Sequence, residues 1–244
     1  MGQQWVEPSR AVVIPNGFDG TRFRPRPDAK AGLRKELGVD PARSVIEMVA
    51  RGHLMKDPGN LVRAVALLQA RGHPVHLVIV GSGLDESNLD LVKLVRECGL
   101  GAQVSLLGAR TDVPALVAGF DVAVLSSAWG EGFPNVLGEA MASGVPCVAT
   151  DVGDCSWVIG PHGVIVPPRH SEALANALGR LLDLGPDARQ QLGLAARARI
   201  LQHFSLQEVV AQYETLHLRV SAAHGPRRSR RDEEIPEVRH GRAV

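Results

Sequence analysis

Short unbroken apolar runs alternate along this chain with longer stretches whose apolar residues recur every three or four positions. The first pattern suits a strand buried on both faces, and the second an amphipathic helix. AVVIP (11–15), SVIEMVA (44–50), VHLVIVG (75–81), VSLLG (104–108), DVAVLSS (121–127), VPCVAT (145–150) and GVIVP (163–167) read as strands. DAKAGLRKELG (28–38) predicts a short helix closed by Gly38. GNLVRAVALLQARG (59–72) predicts a second, with Leu61, Val65 and Leu68 on one face. Further helices are expected from Leu84 to Cys98, around Pro114 to Phe120, over 135–144 up to Gly144, over 171–184, and through PDARQQLGLAARARILQHF. The last, SLQEVVAQYETLHLRV (205–220), opens on a capping-box pair, Ser205 and Glu208. Repeated β-loop-α units of this kind imply an α/β fold with a doubly wound parallel sheet, Rossmann-like in its connections. Such sheets bind ligands beyond the C-terminal ends of their strands. That directs attention to the loops 51–58, 81–84, 108–112, 126–134 and 150–156.

Composition narrows the picture without deciding it. A chain of 244 residues suits one large domain with extensions. Net charge is +1, which argues against wholesale binding to nucleic acid. Aromatic residues are 4% of the chain, so the core is expected to be aliphatic. The three cysteines, Cys98, Cys147 and Cys155, have no CxxC spacing and suit a reducing cytoplasm. No apolar run is long enough for a membrane helix, and MGQQWVEPSR carries no signal-peptide core. The expected location is therefore cytoplasmic, at most peripheral to the inner membrane face. Residues 1–220 read as one lobe with C-terminal helices. Residues 221–244 read as a disordered tail, which from Gly225 carries six arginines against four acids. RRSRR could meet an anionic surface, but DEE follows at once and a solvated tail is the simpler reading. The histidines form no HxH or HExxH pattern, so no metal site is expected, and no GxSxG elbow is present.

Two loops carry candidate chemistry. In ARGHLMKD, Arg51 and Lys56 follow a strand, where a planar fork and a compact ammonium can together hold a diphosphate. Two solvated surface cations would look the same, and His53 between them is as readily a local loop residue as a phosphate contact. The second loop contains EGFPNVLGE (131–139), with Pro134 suited to the first turn of a helix. Glu131 then precedes the helix and Glu139 lies within it. A helix N-terminus welcomes an anion, and a carboxylate can accept bonds from neighbouring sugar hydroxyls. An acid/base pair of the glycosidase kind, two exposed charges, or two hands of one ligand grip all fit that spacing. Glu139 sits beside Ala140 and Met141, where burial without a partner would be costly. GSG (81–83) allows close backbone approach, but Glu86 breaks the dinucleotide fingerprint, so NAD binding is not supported.

Taken in order, VIPNGFDGTRFRP, ARGHLMKD, VIVGSG, LGARTDVPALVAGFDVAVLSS, EGFPNVLGEAMASGVPCVATDVGD and VIVPPRHSEALANAL resemble the group 1 glycosyltransferases (family 4, retaining, GT-B fold) over about residues 11–220. The E-x7-E motif with EAMASGVPCVAT carries most of that likeness. The resemblance implies that Arg51 and Lys56 bind the donor diphosphate and that Glu131 contacts the transferred sugar, these three being the catalytic set. It further implies that Glu139 holds the ribose, that Gly81 and Gly83 allow the nucleotide close, and that Arg110 lies near the base through its main chain. Gly132, Phe133, Asn135 and Val136 complete the donor-binding set, with backbone amides after Gly132 helping. The implied partners are a UDP- or GDP-linked sugar and a glycan or lipid-linked acceptor, in hexosyl transfer for cell-surface polysaccharide, with no other cofactor and no catalytic metal.

Three departures modify that expectation. Gly138 replaces a usual large aliphatic, which should loosen packing before Glu139. CSWVIG lacks a glutamate that many members carry. A GT-B enzyme has two lobes, and the second begins here near residue 10. The chain is therefore expected to be the donor-binding half, with its first lobe upstream or on another chain. A non-catalytic nucleotide-sugar-binding module and a GT-B epimerase are the alternatives; a phosphorylase lacks its lysine, since none lies in 126–156.

Overall fold

The structure, a computed structural model, describes residues 11–224. Six strands form one sheet: β1 (Ser44–Val49), β2 (Val75–Val80), β3 (Val104–Leu106), β4 (Val122–Leu125), β5 (Cys147–Thr150) and β6 (Gly163–Val166). All pairings are parallel, in the order β3-β2-β1-β4-β5-β6. The helices are α1 (Ala29–Leu37), α2 (Pro58–Ala70), α3 (Leu89–Glu97), α4 (Val113–Val117), α5 (Asn135–Ala142), α6 (Cys155–Ile159), α7 (Ser171–Asp183), α8 (Gly185–His203) and α9 (Leu206–His224).

Strand side chains alternate between the two faces, and each face meets its own helical layer. Ile46, Met48, Leu77 and Ile79 pack under α2, α3 and α7, whereas Val45, Val78, Ala123 and Cys147 pack under α1, α4, α5, α6 and α8. Every residue of β2 and β4 is buried, as strands covered on both sides require. The fold class expected from the apolar runs is the one observed. No helix among the described residues is long and apolar enough to cross a membrane.

The expected boundaries differ at several points. AVVIP is not a strand: Val12 and Val13 are 62% and 79% exposed, and the ladder contact nearest to it is a single parallel bridge from Phe18, three residues on, to Ser205. An apolar run becomes a strand only where a neighbour offers paired backbone groups, and the six-stranded sheet offers none there. Helix α3 starts at Leu89 rather than Leu84, because the Asn88 side chain accepts from the Leu91 amide and fixes the cap. Helix α6 lies in CSWVIG, for which the sequence pattern predicts no element. Helix α9 runs through position 220 to His224, and the Arg-rich segment from Gly225 lies outside the described residues.

Gly138 does not loosen the packing as expected. A β-carbon there would sit 2.0 Å from the Phe18 ring, so the missing side chain is replaced by an aromatic from the N-terminal segment. Phe18, Phe133, Trp157 and Phe204 form one cluster with ring centroids 5.5–5.9 Å apart. Arg197 of α8 ties the same segment down, donating to the carbonyls of Gly20, Phe23 and Ala142.

Candidate active site

The sheet order turns at β1 and β4. From β1 the chain winds outward through β2 to β3, and from β4 the other way through β5 to β6. The loops leaving these two neighbours therefore diverge and leave a crevice between them, where open α/β sheets bind ligands. A cleft of about 480 Å³ lies there. Arg51, Lys56, Gly81, Arg110, Glu131, Phe133, Asn135 and Val136 all line it, together with Ser82 and Pro134. Gly83, Gly132 and Glu139 do not. Roomier clefts, between α3 and β3 and between α1 and α8, lie on the flanks of the sheet, away from the converging charges.

At its floor, Lys56 Nζ stands 2.5 Å from Glu131 Oε1, and the Ser127 hydroxyl donates to the same oxygen. Both side chains of the ion pair are largely buried, 14% and 7% exposed. The Ser126 hydroxyl, at the end of β4, donates to the carbonyls of Lys56 and Asp57, and the Ala128 amide donates to the Met55 carbonyl at 2.7 Å. These bonds stitch the β1 loop to the β4 loop. The Glu131 carbonyl is approached closely by Gly153, whose φ is +56°; a β-carbon there would lie 2.2 Å from that oxygen. An ammonium has three donors, so Lys56 can hold Glu131 and still face an anion in the cleft. Arg51 is exposed on the rim and has no ion-pair partner among the described residues. Cys155 is close enough to feel Glu131 and Lys56, and burial pushes its thiol up to about 12, which keeps it protonated near neutral pH.

Helix α5 begins at the cleft with Pro134 at its cap, Asn135 as its first residue and no side-chain cap. The amides of Asn135 and Val136 in its first turn are open donors of the kind a helix N-terminus offers an anion, while that of Leu137 donates to the Pro134 carbonyl. The Asn135 side chain is held by Asn16, whose Nδ2 donates to Oδ1 at 2.9 Å. Glu139 lies four residues on, hence on the same helical side as Asn135 and one turn deeper. Burial raises the Glu139 carboxyl above its ordinary range, and Arg22 pulls it back down.

The remaining expected residues divide by role. Gly81, with φ +140°, lets the Ala50 carbonyl come so near that a β-carbon would sit 1.6 Å from it. The strand-end packing alone requires glycine at this position, whatever the cleft binds. Gly83 turns away toward Gly52, and its carbonyl accepts from Asn88. The Arg110 side chain is spent on Asp112, in a two-pronged pair, and on Glu36, which raises its affinity for the proton further. Only its main chain is left for the cleft. His53 caps the 54–56 turn, accepting from the Met55 amide at 3.2 Å, and lines the neighbouring cleft instead. Sequence reasoning assigned no role to Ser127, Gly153 or Arg22. Ser127 stands at a strand end next to the candidate loop, which is the signal that could have found it.

Residues 43–184 match the family model described as Glycosyl transferases group 1. The chain is 36% identical over 200 residues to a D-inositol 3-phosphate glycosyltransferase of Nocardia farcinica, covering 78% of this chain and 43% of that protein. It is 34% identical over 226 residues to an MMP alpha-(1->4)-mannosyltransferase of Mycolicibacterium hassiacum, covering 89% of this chain and 51% of that one. Among solved structures, HepE of Anabaena in complex with UDP-glucose superposes with a TM-score of 0.78 at 28% identity, covering 87% of this chain and 58% of that one. The chain thus spans about half the length of the curated relatives it matches.

Proposed function

The chain belongs to the group 1 glycosyltransferases, and from that premise we propose that residues 11–224 form the nucleotide-sugar-binding half of a retaining glycosyltransferase. The observation that carries this reading is the meeting of Lys56, Glu131 and the α5 N-terminus in one cleft at the sheet's switch point. A cation, a carboxylate and free helix amides in one place match the parts of a nucleoside diphosphate-sugar. Lys56, Arg51 and the first amides of α5 hold the diphosphate and stabilise the charge that grows on it as the sugar leaves. Glu131, fixed by Lys56 and Ser127, accepts from hydroxyls of the transferred sugar. Glu139, one turn deeper along α5, accepts from the ribose. The likeness to a UDP-glucose complex favours a uridine-linked hexose as donor. The acceptor is a glycan or lipid-linked hydroxyl compound, bound mainly by a first lobe.

The test is a transfer assay with UDP- and GDP-hexoses and a first lobe taken from a relative, the product read by proton NMR for its anomeric linkage. An α-linked product from an α-linked donor is expected. A β-linked product contradicts retention. Donor turnover that persists undiminished in Glu131→Gln contradicts the role given to that carboxylate.

A further inference from the structure

Glu47 is a carboxylate in the middle of β1, 3% exposed, and its Oε2 has no hydrogen-bond partner. Residues in register across a parallel sheet point to the same face. The row through Glu47 runs Ser105, Val78, Glu47, Ala123, Cys147, Gly163. Val78, Ala123 and Cys147 belong to the core on the α5 side of the sheet, so Glu47 points that way too. Helix α5 lies over β4 and β5, with the Cys147 thiol reaching the Leu137 carbonyl at 4.0 Å. Glu139 stands on the same helix, near enough for its charge to act on the Glu47 carboxyl. Glu47 is thus a buried acid on the side of the sheet covered by the helix that carries the carboxylate proposed to hold the ribose.

Resting on the donor-binding reading, we infer that Glu47 is a positioning residue for Glu139: while neutral it leaves Glu139 as the single negative charge there, and once ionised it repels that carboxylate and weakens nucleotide binding. Two neighbouring carboxyls in a low-dielectric interior share one charge rather than carry two. Glu139 takes the charge, being less buried and having Arg22 nearby. Burial first, and the Glu139 charge second, push Glu47 up to about 8. In the same row the Cys147 thiol is raised far above neutral by burial and by Glu47 itself, so it stays uncharged; His76, on the same face of β2, is held below its ordinary range by burial and then by Arg43, so it is neutral toward alkaline pH. The neighbours on β2 and β4, Val78 and Ala123, carry no charge.

The test is calorimetric titration of the full chain with UDP and GDP across roughly pH 6.5 to 9. The wild-type affinity is expected to fall about fivefold or more toward the alkaline end, the usual scale of coupling between sites. Glu47→Gln, which cannot ionise, is expected to give a flat profile. An alkaline loss of equal size in Glu47→Gln overturns the inference, as does a flat wild-type profile. Carboxyl carbon NMR supplies a readout that needs no nucleotide: the Glu47 midpoint should drop in Glu139→Gln, and an unmoved midpoint overturns the coupling. Failure of both nucleotides to bind would count against the donor-binding reading, while the NMR midpoint still decides the coupling of the two carboxyls.

Discussion

Glu131 is held by two groups from different loops, Lys56 from the one after β1 and Ser127 from the one after β4. Such a pair earns little net stability over an apolar isostere, but losing one partner strands a buried charge. Lys56→Ala is therefore expected to destabilise the chain by about 3–5 kcal/mol, read from urea denaturation. Adding Glu131→Gln to that variant should recover part of the loss. A cost near zero for Lys56→Ala would mean that Glu131 is not buried against it. Each member of this group was visible in sequence as a residue type next to a strand end. Their contact, across 75 positions, was not, because only the strand order brings the two loops together. Glu47 was invisible for another reason. One acid in SVIEMVA leaves the strand pattern intact, and nothing local tells whether its side chain faces solvent or core.

At the scale of elements, α5 depends on a neighbour that the apolar pattern misassigned. AVVIP was expected to start the sheet, yet it stays outside it, and the residues after it deliver Phe18 onto Gly138. The sheet strands were legible because unbroken apolar runs between glycine-marked helix ends have few other uses. This segment was not, since its role depends on α8 and α9, far along the chain. It follows that restoring a large aliphatic at position 138 should destabilise the protein. Gly138→Leu is expected to cost about 1–3 kcal/mol through overpacking, and Phe18→Ala in the same chain should relieve it. Thermal melts of the two single variants and the double variant form the cycle that checks this. Additive losses would contradict the packing account.

Across the whole molecule, the reversal of strand order between β1 and β4 turns separate loop motifs into one site. The class of fold was legible, since alternating strands and helices admit few arrangements. The position of the switch was not, because sequence order alone leaves the sides on which β2 and β4 join β1 undecided. The cleft gathers eight of the eleven expected residues, and Glu139 stands one turn behind it. Its chemistry, a cation pair, a fixed carboxylate and a helix end, suits the diphosphate-sugar grip proposed for it. The most direct measurement of this claim is calorimetric titration of the folded chain with UDP, GDP and their hexose conjugates. At least one of them should bind with a dissociation constant of roughly 1 mM or tighter, weakening with added salt and at least tenfold weaker in Glu139→Ala. A folded wild-type chain that binds none of them in that range, or a Glu139→Ala variant that binds as tightly as wild type, would contradict it.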